Sequence, residues 1–181
     1  MRLYIYYNVQ FLNIKYVINL YFMLIWLLGK SGSGKTFFSK KIVKFLVKKK
    51  IKHFHIDGDE FRKYISHDLG YDKRSRYTNG KRVFAFCNYL ISKKFIVILS
   101  MQSVFREMQL NNRRTIKKYL QFNLVSNNTN VKFKKKQRYI VGKDLKFNPI
   151  KGDLNISNER KSTQKNLNLM IRSIKKKFSI K

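Results

Sequence analysis

Residues 29–36 read GKSGSGKT and satisfy the spacing G-x-x-x-x-G-K-[ST] at Gly29, Gly34, Lys35 and Thr36. The small residues Ser31, Gly32 and Ser33, with Lys30 beside them, let successive backbone N–H groups curl around a phosphate. Glycine supplies the left-handed turns such a curl requires. Lys35 has the length to reach the β- and γ-phosphates of a nucleotide, and the Thr36 hydroxyl can ligate Mg²⁺. A helix starting here would add its positive N-terminal end. The loop therefore predicts nucleotide binding, with Mg²⁺ arriving on the nucleotide.

A second cluster, DGDEFR, places Asp57, Asp59 and Arg62 behind the apolar run HFHI. At the carboxyl end of a strand a carboxylate can orient a hydroxyl nucleophile or take its proton, and an arginine can clamp a phosphate or sulfate in bidentate fashion. The competing reading is a polar turn in which Asp59 caps the next helix. His53, His55 and His67 show no ligand spacing with a cysteine or acid cluster, so no protein-held metal is expected.

These groups need a frame. The run at 24–28 reads as a short buried strand. Phe38, Ile42, Phe45 and Leu46 then fall on one face of a helix. Further buried strands are predicted at 52–56 and 95–101, with Val83, Phe86, Cys87 and Leu90 at helical spacing between them. Residues 103–120 read as a helix, 122–125 and 153–157 as short strands. The terminal helix is capped by Ser162 and turns Leu167, Met170, Ile171, Ile174 and Phe178 inward. Strands alternating with helices imply an α/β three-layer P-loop fold with a parallel sheet.

Composition sets limits. The 181 residues fit one domain, taken as 23–181, behind an N-terminal extension at 1–22. That extension is apolar but interrupted by Asn8, Gln10, Asn13 and Asn19, so no membrane span is expected, and it shows no small-residue cleavage site, so no signal peptide is expected. Cys87 is the single cysteine, which rules out an internal disulfide and suits a cytoplasmic setting as a small buried hydrophobe. With 41 basic against 9 acidic residues the formal charge is +32. The lysines are scattered rather than arrayed on a recognition element. Compositional drift in a chain rich in Lys, Asn, Ile, Phe and Tyr, together with anionic substrates, is therefore expected rather than a specific nucleic-acid partner.

Taken in order, MLIWLLGKSGSGKT, HIDGDEFR, DLGYDKRSRYTNGKR and VILSMQSVFRE, followed by IVGKDLKFNPIKGDLNIS, resemble the adenylyl-sulfate kinase family over residues 23–158. The resemblance implies transfer of the γ-phosphate of ATP to the 3′-hydroxyl of adenosine 5′-phosphosulfate (APS), giving PAPS in sulfate assimilation. It implies ATP on Gly29, Lys30, Ser31, Gly32, Ser33, Gly34, Lys35 and Thr36, with Mg²⁺ at Thr36. It implies APS on Asp59, Arg62, Tyr71, Arg76 and Asn79, with Arg82 nearby, and catalytic roles for Lys35, Asp59 and Ser103. It also implies a homodimer. The rival for Tyr71 is core packing, for Arg76 and Arg82 a solvated surface, and for Ser103 a helix cap.

Lys30, Phe37 and SVFR depart from the family pattern. So does a shortened segment after Val125, in which VKFKKK stands where the family has a lid. A reduced lid predicts weak turnover. Two other functions compete: another small-molecule P-loop kinase, and a basic protein that binds nucleotide or nucleic acid with little catalysis.

Overall fold

A computed structural model describes residues 23–125, 138–157 and 162–180. The extension at 1–22 and the lid counterpart VKFKKK lie outside the described residues. The elements are β1 (Met23–Gly29), α1 (Lys35–Lys48), β2 (His53–Asp57), α2 (Gly58–Tyr64), α3 (Lys73–Ser92), β3 (Ile96–Ser100), α4 (Arg106–Thr115), β4 (Lys118–Val125), β5 (Leu154–Ser157) and α5 (Thr163–Phe178). The strands form one sheet in the order β2-β3-β1-β4-β5, and every neighbouring pair is parallel.

The sheet places the site. From β1 the chain crosses to β2, returns to β3 beside β1, and then passes to β4 on the other side. The direction of winding thus reverses between β3 and β1, and a crevice opens at their carboxyl ends, at Gly29 and Ser100. β1 is buried on both faces along its whole length, as an uninterrupted apolar central strand must be.

One core forms on each face. Trp26, Val83, Phe84, Cys87 and Met108 belong to the core under α2, α3 and α4. Phe38, Ile42, Leu46, Met170, Ile174 and Phe178 belong to the core under α1 and α5. Fully burying a phenylalanine such as Phe38, Phe122 or Phe178 contributes about 1.5–3 kcal/mol. Cys87 is a packed core residue, and burial pushes its thiol well above the ordinary range. Among the described residues no helix is long and apolar enough to cross a membrane.

The helix expected over 103–120 is cut at both ends. α4 covers only Arg106–Thr115, and the chain from Lys118 is already strand. β4 is therefore twice as long as the four residues expected at 122–125. Gln121 and Asn123 disguised it, because amides are unexpected inside a buried strand. Here they are satisfied: Gln121 Nε2 donates to Gln109 Oε1 (3.1 Å) and Asn123 Oδ1 (2.8 Å), and Asn123 Nδ2 to Ile150 O (2.8 Å). Ser162 stands at the head of α5, but its hydroxyl donates back to Ser157 O (3.3 Å) instead of capping the first turn.

Candidate active site

The glycine-rich loop joins β1 to α1. Gly32 and Gly34 take φ values of 73° and 90°, the left-handed turns that bend the loop. At Gly29 a Cβ would lie 2.3 Å from Ser33 Oγ and 2.7 Å from Leu124 O, so the loop closes only around a bare α-carbon. Lys35 folds back along the loop, and its Nζ donates to Gly29 O (3.0 Å) and Lys30 O (2.8 Å). Burial lowers its pKa, and the nearby Asp59 and Asp57 carboxylates partly offset that.

The Thr36 hydroxyl donates to Asp57 Oδ2 at 3.3 Å. The other Asp57 oxygen accepts from Asp59 N (3.0 Å) at the start of α2. The cap is thus Asp57 and not Asp59, which leaves the Asp59 carboxylate for the cavity. A hydroxyl and a carboxylate facing each other beside the phosphate loop form the hard oxygen donor set that suits Mg²⁺.

A cavity of about 330 Å³ opens beside the loop. Its walls include Lys35, Asp59, Arg62, Tyr71, Arg76, Asn79 and Ser103, so every expected catalytic and acceptor-binding residue meets there. Ser31 is the one further loop residue on that wall; Gly29, Lys30, Gly32, Ser33, Gly34 and Thr36 shape the loop outside it. Lys30 instead lies across Gly142 (φ 93°), where a Cβ would come within 2.6 Å of its Cδ.

The two arginines are held rather than loose. Arg62, 8% exposed, donates through Nη1 to Leu69 O (3.2 Å) and Gly70 O. Arg76 donates through Nε to Tyr71 O (2.7 Å) and through Nη2 to Tyr139 O (3.0 Å). Both guanidinium groups lie over the Tyr71 ring, at 4.9 and 5.5 Å from its centroid. Burial lowers both pKa values without bringing either group near discharge at neutral pH.

Tyr71 is 55% exposed, which removes the core-packing reading. Ser103 is buried against the cavity and accepts from Phe105 N at 3.2 Å; it braces the turn before α4, whose cap position is Phe105. Arg82 is outside the cavity and forms a bidentate pair with Asp68 on the surface. Asn79 is 4% exposed, and its Oδ1 meets no donor among the described residues.

The adenylylsulphate kinase family model matches residues 22–146. The chain belongs to that family. It is similar to the cytidine diphosphoramidate kinase of Campylobacter jejuni, 28% identical over 163 residues, 83% of this chain and 95% of that protein. It is also 32% identical over 85 residues to the adenylyl-sulfate kinase of Chloroflexus aurantiacus, a match that spans about half of each protein, 47% and 46%. In fold it resembles the Mycobacterium tuberculosis APS kinase CysC solved with AMPPNP and APS, with a TM-score of 0.72, 18% identity, and coverage of 86% of this chain and 99% of that one.

The protein is thus a P-loop kinase, an ATP-dependent phosphotransferase with a hydroxyl acceptor. Sequence reasoning left several cavity residues of this kinase unnamed. Met101 and Gln102 follow β3, and Ile140 and Val141 come from the segment after 137. Met101 carried a usable signal, being the first residue past a buried strand. It is fixed there because Trp26 Nε1 donates to its carbonyl at 2.9 Å. Ile140 and Val141 carried none, since only the fold brings them across to α3.

Proposed function

We infer that this kinase phosphorylates the 3′-hydroxyl of adenosine 5′-phosphosulfate at the expense of ATP. The observation that carries the reading is the grouping of Asp59, Arg62, Tyr71, Arg76 and Asn79 in one cavity, across from Lys35 and the phosphate loop. The loop N–H groups and Lys35 hold the β- and γ-phosphates. Thr36 and Asp57 would hold Mg²⁺, which neutralises phosphate charge when bound. Arg62 and Arg76 neutralise the anionic end of the acceptor, and the exposed Tyr71 face offers its base an aromatic surface.

Asp59 orients the acceptor hydroxyl and takes its proton as oxygen bonds to the γ-phosphorus and the bond to the ADP oxygen breaks. Ser103 holds the turn that closes the far wall. The test is ADP release with ATP, Mg²⁺ and the acceptor. Release that depends on APS is expected; a rate no higher than an APS-free control overturns the reading.

A second acceptor, cytidine diphosphoramidate, is favoured by one observation. The relative of that name matches 83% of this chain, against about half for the adenylyl-sulfate kinase of Chloroflexus aurantiacus. Comparing kcat/KM for the two acceptors decides between them.

A further inference from the structure

The two faces of the sheet differ in charge. Among the described residues, α1 and α5 cover one face, packed over a shared core. Apart from Lys35, which belongs to the phosphate loop, α1 has four basic residues and α5 has five, and neither helix has an acidic one. The ion pairs among the described residues, Arg82–Asp68 and Arg113–Asp153, involve neither helix. On α1, Lys40, Lys44 and Lys48 are exposed and four residues apart, which sets them in one row over about 12 Å of helix axis at 1.5 Å per residue. Like charges at that spacing repel, and among the described residues none of the three forms an ion pair.

Beside α5 lies a shallow, open patch where Arg172, Lys175 and Lys176 stand with Asn168 around Ile171 and Ile180. Arg172 and Lys176 stand one turn apart. At the head of α1 the ring of Phe37 is 46% exposed, with Lys41 Nζ 5.6 Å from its centroid.

We propose that this layer is a second binding surface, separate from the active site, that takes the phosphate backbone of a single-stranded nucleic acid without reading its sequence. Rows of unpaired cations match a repeating phosphate charge. An exposed aromatic flanked by lysine offers an unpaired base a stacking face. Recognition through backbone charge agrees with the absence of a recognition element in the sequence.

The test uses the full chain and a fluorescein-labelled 20-nucleotide oligouridylate, with anisotropy followed from 50 to 300 mM salt. One variant neutralises the layer: Lys44→Gln, Lys48→Gln, Arg172→Gln and Lys176→Gln. A matched variant removes the same charge from the opposite side: Lys63→Gln, Lys81→Gln, Lys93→Gln and Lys94→Gln. ATP binding reports that both variants fold.

The parent is expected to bind at 150 mM salt. The layer variant is expected to lose at least tenfold in affinity and to flatten the log–log salt slope by up to about 3, at about 0.7 per lost phosphate contact on a single strand. The matched variant is expected to keep the parental slope. Equal losses in both variants overturn the proposal, because net charge alone would then explain binding. No binding by the parent at 150 mM salt also overturns it. So does tighter binding to vesicles containing 30% phosphatidylserine that displaces the oligonucleotide, because the surface would then be a membrane face.

Discussion

The helical layer that faces the crevice and the layer that backs it are built on the same sheet and bury similar apolar cores. Their polar residues have opposite fates. On the crevice side, Asp59, Glu60, Asp68, Asp72 and Glu107 share the surface with the cations, and many charged groups are held. Arg62 and Arg76 grip backbone carbonyls, Asp72 caps α3 through Ser75 N (3.0 Å), and Arg82 pairs with Asp68. On the backing side, apart from Lys35 at the phosphate loop, no cation of α1 or α5 forms an ion pair among the described residues. Held charges give a preorganised site, because their orientation is fixed before the ligand arrives. Unheld charges give a field, which attracts any polyanion and specifies little. The same residue types therefore serve different ends in the two layers.

Removing Lys35, which the head of α1 carries into the crevice, should have the largest effect. Lys35→Met is expected to lower kcat/KM by about 10³-fold, roughly 4 kcal/mol of transition-state stabilisation. Its melting temperature should hold or rise, since the lost cation is held against desolvation. A stable variant that keeps its turnover would remove the loop from the chemistry.

Phe178→Ala, deep in the backing core, should do the reverse. It should cost about 3–5 kcal/mol in denaturant unfolding while leaving KM for ATP unchanged in the surviving folded protein. A changed KM would mean that the backing layer is coupled to the site.

Arg76→Ala should raise the acceptor KM by one to two orders of magnitude, as expected for a charged hydrogen-bonding partner worth about 1.5–3 kcal/mol. The KM for ATP should stay constant. A uniform rise for both substrates would assign Arg76 to bracing Tyr139 rather than to the acceptor.

The smallest effect concerns pH. Burial lowers the pKa of His55, whose Nε2 lies 3.1 Å from Ser100 Oγ. The unfolded chain then binds more protons below about 6.5, so the neutral ring stabilises the fold above that pH and the contribution is lost as pH falls through it. Wild type should lose more melting temperature between pH 7 and pH 5 than His55→Gln. Equal losses would show that His55 is not held neutral.

Much of this molecule was legible in the chain. Strand, glycine loop and amphipathic helix follow one another at the start of the described fold, and each is a local pattern set by backbone sterics and apolar periodicity. The parallel sheet followed from alternation, and Lys35, Thr36, Asp57, Asp59 and Arg62 followed from motifs behind strands, whereas Tyr71, Arg76, Asn79 and Ser103 were implied by the family resemblance alone. What failed was non-local. Gln121 and Asn123 are poor strand residues by composition, and only amide partners from α4, from Asn155 and from the 150 loop make a long β4 possible there. The choice between Asp57 and Asp59 as cap depended on which carboxylate faced Thr36 across 21 residues.

The sequence by itself determined the phosphate loop, the order of the elements and the family, because those rest on short-range geometry and on residue identity at fixed spacing. The tertiary structure alone decided that Arg76 reaches Tyr139, that Ile140 and Val141 wall the cavity, and that two helices without an acidic residue share one face of the sheet. Those are relations between segments far apart in the chain. They exist only after hydrophobic burial has brought the segments together, so no local pattern could record them.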